Sequence, residues 1–213
     1  MQISPLARVL LTPAAVFRQI ERVQTGKLLA TMLAVQLLIS LVNIPLFTSG
    51  TEQALSQLPV GIAPNKWFVV GAALAMSALM PMLLILFMSA IFFLAAALGG
   101  NIMYRPLLSM TALASAPVLL ASALRALLGV VQGGDGKSNP LSFAALLHLD
   151  PATGWLRVWS YIDLFDLWTY GLIVVGFAWT VKSRRVGAYA AAALLWGLFQ
   201  LVLLKVQMMG AHP

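Results

Sequence analysis

Five long apolar stretches, at 27–47, 67–98, 107–131, 161–181 and 187–209, alternate along the chain with short polar connections. Each reaches the roughly 20 apolar residues that a helix needs to cross the hydrocarbon core of a bilayer. The pattern predicts an all-α, polytopic membrane bundle of five transmembrane helices. The second run is the longest and contains Pro81, so it is expected to tilt, kink or extend beyond the bilayer. Pro117 interrupts the third run in the same way. Prolines survive inside spans where neighbouring helices or polar side chains satisfy the freed backbone.

Residues 1–26 precede the first run and show neither the early apolar core nor the small-residue cleavage site of a signal peptide. Thr12-Pro13 has the form of a helix start, with Thr12 as N-cap and Pro13 at the first helical position. Val16, Phe17, Ile20 and Val23 then share one face, with Arg18, Gln19, Glu21 and Arg22 elsewhere. This spacing predicts a short N-terminal amphipathic interfacial helix. Phe17, Arg18, Arg22 and Lys27 are its expected lipid contacts, the cations meeting anionic headgroups. The chain thus divides into a cytoplasmic amphipathic segment, 1–26, and a five-span membrane domain, 27–213.

Composition supports the same class. Hydrophobic residues make up 61% of the 213 positions and charged residues only 9%, where soluble domains carry about a quarter. Mean hydropathy is +0.94. The absence of cysteine excludes disulfides, thiolate metal sites and a cysteine nucleophile. A net charge of +7 would point to nucleic acid in a soluble protein, but its distribution here follows membrane topology, and no nucleic-acid partner is expected. With the N-terminus cytoplasmic, Arg8, Arg18, Arg22, Lys27, Arg105, Lys182, Arg184 and Arg185 lie inside, against Lys66, Lys137 and Arg157 outside. The positive-inside rule therefore predicts N-terminus cytoplasmic and C-terminus outside. The expected outer connections are 48–66 and 132–160. The latter is glycine-rich at first, helix-like over 141–149, and carries Trp155 and Trp159 as interfacial anchors.

Catalytic chemistry is not indicated. His148-Leu149-Asp150 offers two potential metal ligands without a third, and His212 lies near the C-terminus. Gly133-Gly134-Asp135-Gly136-Lys137-Ser138 lacks both the preceding strand and the spacing of a phosphate loop. No enzyme activity, cofactor or metal is expected. What stands out is intramembrane charge. Arg125 lies about six residues from the outer end of the third run, roughly 9 Å deep. Asp166 reaches a similar depth in the fourth run, and Lys205 lies near the outer end of the fifth. Asp163 and Asp166 share a helix face. Depth matching makes Asp166 the favoured partner of Arg125, with Asp163, nearer the headgroups, as a second candidate partner and Lys205 nearby or snorkelling outward. The cluster reads either as a structural clasp between the third and fourth spans or as an outward-facing site of a small transporter or channel.

A resemblance runs through Pro13, Phe17 and Ile20, then Gly99-Gly100, Arg105-Pro106-Leu107 and Ala116-Pro117-Val118-Leu119-Leu120. It continues through Asp163-Leu164-Phe165-Asp166-Leu167-Trp168 to Gly171 and Gly176, and closes with Ser183-Arg184-Arg185-Val186-Gly187 and Trp196. On these residues the chain resembles the Ypt-interacting-protein (Yip) family, particularly its bacterial members. The resemblance implies a five-span, inner-membrane architecture. Eukaryotic members are associated with Rab-type GTPases and vesicle formation, but their long acidic N-terminal region and Asp-Leu-Tyr-Gly-Pro motif have no counterpart in this sequence. GTPase binding is therefore not carried over. The function expected is that of a non-enzymatic membrane scaffold or membrane-organising protein acting through lipids, span packing, and self-association or a membrane-protein partner.

Overall fold

A computed structural model describes residues 4–56, 65–97, 103–132, 140–148, 159–160 and 162–181. It also describes 189–190, 192–194, 197–198, 201 and 205. Helices account for almost all the structure, and no strand occurs among the described residues. They are α1 (Pro5–Leu11), α2 (Pro13–Phe17), a 3₁₀ turn (Ile20–Arg22), α3 (Thr25–Val42), α4 (Ile44–Ser56) and α5 (Lys66–Ala97). There follow α6 (Tyr104–Ala114), α7 (Ala116–Gln132), α8 (Phe143–Leu146) and α9 (Leu164–Val181). Among the described residues four segments are long and apolar enough to cross a membrane: Thr25–Val42, Lys66–Ala97, Tyr104–Val131 and Leu164–Val181. The expected fifth span lies largely outside the described residues, although Tyr189, Ala190, Ala192, Leu194, Leu198, Leu201 and Lys205 are helical.

The first run ends earlier than its hydropathy implied. Asn43 interrupts the helix, its amide donating to the Ile39 carbonyl at 3.1 Å, and Pro45 falls in the first turn of α4. Residues 48–56, expected in an outer loop, are therefore helical. The third run is two helices, α6 and α7, meeting at Ser115. Pro117 sits in the first turn of α7, where its missing N–H removes no intrahelical bond. α9 begins at Leu164 rather than at 161.

The chain forms two compact units. One comprises Leu29–Leu83 and Val118–Phe165. It holds the first part of α5, a helix of 32 residues that passes Pro81 without a break, about 48 Å in all at 1.5 Å per residue. Proline cannot donate to the carbonyl four residues earlier, which belongs to Ser77. The Gln36 side chain of α3 supplies that donor, its Nε2 lying 3.1 Å from the Ser77 oxygen. The Ser40 hydroxyl joins the Ser77 hydroxyl alongside. Gln36 and Ser40 are buried; the first repairs its neighbour's backbone and the second ties the two helices through their hydroxyls. Elsewhere in the unit, Lys66 forms an ion pair with Glu52.

The other unit comprises Met1–Leu28, Leu84–Pro117 and Asp166–Pro213. Its centre is α6, in which Leu107 and every residue from Ser109 to Ala114 are buried. α1 and the 3₁₀ turn pack on α6. The Ser4 hydroxyl caps α1 by accepting from the Leu6 N–H at 3.3 Å. Thr12 precedes Pro13 as expected, but its side chain caps nothing in α2 and instead donates to the Arg8 carbonyl. The periodic segment after it is two short pieces, α2 and the 3₁₀ turn. Most of its apolar face is covered by protein, for Val16, Phe17 and Ile20 are buried and Val23 is half-buried. Phe92 and Phe177 meet at 5.7 Å between ring centroids, and Tyr104 shares a hydroxyl bond of 2.7 Å with Ser89.

Gly176 marks the closest approach. A Cβ built there would lie 2.7 Å from Met110 Cγ and 3.0 Å from two Phe17 ring carbons. Gly176→Ala should lower detergent-solubilised stability by about 1–3 kcal/mol, through overpacking against Phe17. A thermal midpoint equal to wild type would refute that contact. Gln36→Leu should cost about 1–2 kcal/mol by leaving the Ser77 carbonyl unpaired. The loss should shrink to a few tenths in a Pro81→Ala background, where the helix satisfies that carbonyl itself. Additive effects in this double-mutant cycle would disprove the repair.

Candidate functional site: a capped ion pair and a basic helix end

Asp163 directly precedes the first residue of α9. One carboxylate oxygen accepts the Phe165 N–H at 2.8 Å, satisfying one of the donors that every helix start leaves open. The second oxygen takes the guanidinium Nη2 of Arg125, from the third turn of α7. Asp163 is 0% exposed, while the Arg125 side chain is 36% exposed. Nε of Arg125 is buried, with no hydrogen-bond partner among the described residues. The pair thus joins α7 to the start of α9 with one charged group inside and the other reaching the surface.

A second strut holds the carboxylate in place. Ser142 and Asp163 form an isolated antiparallel bridge, in which the Phe143 N–H donates to the Ile162 carbonyl at 3.0 Å. The Ser142 hydroxyl in turn caps α8 by accepting from the Ala145 N–H at 3.2 Å. Phe143 then meets Trp159 edge-on, with centroids 5.8 Å apart. An aspartate engaged at both oxygens positions a helix and neutralises a cation.

Of the four residues expected at one level, the structure joins Arg125 with Asp163. The partner favoured by depth, Asp166, lies in the first turn of α9, where its charge complements the helix dipole. Because α9 begins at Leu164, Asp163 stands at its N-cap, and this carboxylate is the one seen to meet Arg125. The missed signal was local: an aspartate immediately before an apolar run, with a second three residues on, is a helix-start signature. Lys205 is exposed and belongs to the other unit. His148 adopts a left-handed backbone with φ 52°. Asp150, Trp155, Lys182, Arg184, Arg185 and His212 lie outside the described residues. Among the described residues no group of three or more His, Cys, Asp or Glu could hold a metal ion.

The expected lipid contacts divide. Phe17 is 1% exposed, with Met110 and Gly176 against its ring, so it packs on protein instead of lipid. Arg18 stacks over Trp179, its guanidinium carbon 4.6 Å from the ring centroid. Arg22 and Lys27 are exposed. Sequence reasoning did not find their neighbour Arg105, whose Nε donates to the Thr25 hydroxyl at 3.3 Å. Thr25 also shares a buried bond of 2.7 Å with Ser109.

A family model described as the Yip1 domain matches residues 7–204. The comparisons with curated proteins and with solved structures each returned no match.

The ion pair makes a direct prediction. Asp163→Ala should cost about 1–3 kcal/mol, since it removes a cap and strands a guanidinium. Asp163→Asn should cost less, because an amide oxygen can still cap. A double-mutant cycle of Arg125→Met with Asp163→Asn should show a coupling of about 1 kcal/mol in unfolding measurements. Coupling of Arg125 to Asp166 instead would overturn the assignment.

Proposed function

The chain belongs to the Yip1-domain family, and on that premise we propose that it is a non-enzymatic membrane scaffold, working through span packing and lipid contacts. It is an integral, multi-pass membrane protein, and members of the family are membrane proteins not known as enzymes. The observation that carries the scaffold reading is the commitment of Asp163. Its buried carboxylate serves one helix cap and one guanidinium, which suits a fixed joint and ill suits an ion-transfer group.

In this reading residues 187–209 form a fifth span, with the N-terminus cytoplasmic and the C-terminus outside a bacterial inner membrane. The positive-inside distribution supports that orientation. Arg18, Arg22 and Lys27 face cytoplasmic-leaflet headgroups, and association with further copies or another membrane protein organises the surrounding bilayer.

The absence of native cysteine makes every introduced one a unique reporter. A cysteine at Ser138 and one at His212 should react with an impermeant maleimide on intact cells, and one at Ser183 only after permeabilisation. Labelling of His212→Cys only after permeabilisation would eliminate the five-span arrangement. Liposomes containing the full chain should show no ion or proton flux above protein-free vesicles. Flux abolished by Asp163→Asn or Asp166→Asn would instead establish the transporter reading.

A further inference from the structure

Positive charge gathers where α3 and α6 begin. Thr25 opens α3 and Tyr104 opens α6, each the start of a segment able to cross the membrane. The two ends are tied together, because Thr25 bonds both Ser109 and Arg105 of α6. Two apolar helices joined at their first turns place that junction at the rim of the hydrocarbon, at headgroup level. Helix starts also carry partial positive charge and unsatisfied N–H groups.

Two arginines complete the junction. Arg105 spends only Nε on Thr25, leaving the terminal nitrogens of an exposed guanidinium without a carboxylate partner among the described residues. Arg22 closes the 3₁₀ turn three residues before Thr25, within about 11 Å along the chain. It too is exposed, with no ion-pair partner among the described residues. The 3₁₀ turn packs directly on α6, which holds Arg22 on the same side. Lys27 follows Thr25 by two residues and is also exposed. In the same unit Leu11 and Met103 are 78% and 79% exposed. Met103, which caps the start of α6 two residues from Arg105, thus sets a bare apolar side chain near a guanidinium, which suits the boundary between headgroups and acyl chains.

We infer that Arg22 and Arg105, gathered around Thr25, form a binding site for the phosphate of an anionic lipid headgroup. Arginine presents a planar fork to phosphate oxygens, and tethering Nε fixes that fork before the ligand arrives. The occupant is a lipid because the site sits at the end of two spans, where lipid phosphate is the concentrated anion. The inference rests on the scaffold reading for its orientation and sharpens the lipid contact that reading assigns to the N-terminal segment.

Native mass spectrometry of the detergent-solubilised full chain would test it, titrating phosphatidylglycerol against phosphatidylcholine. One phosphatidylglycerol should be retained with at least about tenfold preference, given about fivefold for each basic residue near the surface. R22Q/R105Q should abolish the preference, R22K/R105K should keep part of it, and the charge-matched K137Q/R157Q should leave it intact. T25V, which frees Arg105 without altering charge, should weaken it several-fold. That variant decides the matter if R22Q/R105Q fails to fold by circular dichroism. Preference unchanged in R22Q/R105Q, or in T25V where the double variant is unfolded, would overturn the site. Displacement by equimolar glycerol 1-phosphate would overturn lipid as the occupant. Loss of lipid preference would leave the flux and topology results untouched, so failure of this site and failure of the scaffold reading remain separable.

Discussion

Inside a bilayer a peptide carbonyl has no water to fall back on, and this constraint governs how the protein spends its few polar side chains. Pro81 deprives the Ser77 carbonyl of its usual donor, and Gln36 reaches across from α3 to replace it. Thr111 and Thr180 turn their hydroxyls back onto carbonyls of their own helices. Asp163 meets the complementary need, giving an acceptor to the exposed N–H groups at the head of α9. Gln36 and Asp163 are thus each paired with an open group of the helical backbone.

Charge follows the same economy. Removing a carboxylate from water is costly unless hydrogen bonds and an opposite charge compensate it. Asp163 has both, and its position at a helix start lets one side chain terminate a loop, open a helix and anchor Arg125. The joint lies within a single unit and is braced by the Ser142 bridge. Asp163 accepts from the backbone and from a side chain together. One unit thus holds a buried polar joint, and the other is packed through aromatic rings and a glycine.

Membrane class and four of the runs were legible from hydropathy because burying twenty apolar residues leaves a coarse, redundant signal. Where helices begin and end was less so. α4 continues through Thr48, Ser49 and Thr51 because a helix can outlast its apolar stretch. α9 starts later than its apolar run because Asp163 diverts the backbone. The Arg125 cluster was legible as a set of unusual residues, yet depth alone could not choose between carboxylates three residues apart. Phe17 was legible as one edge of an amphipathic stripe. That stripe fits lipid and protein equally well, and only Gly176, about 160 residues away, shows which covers it. The Thr25–Arg105 tie left no local pattern, since its partners are brought together by tertiary packing.

The seat of Phe17 also has a bearing on how the protein is made. Its ring rests against Gly176, so the earliest helices to leave the ribosome complete their packing only when the fourth membrane segment has been synthesised. At 5–20 residues per second that interval is roughly 10–30 s. Until then the Phe17 ring lacks its glycine seat, although the 3₁₀ turn can already pack on α6. An amphipathic pattern suits that wait: the segment can rest on the membrane surface while the chain lengthens, then exchange lipid for Gly176 and Met110. The stripe read from the sequence would then describe the nascent chain, and the buried ring its finished form.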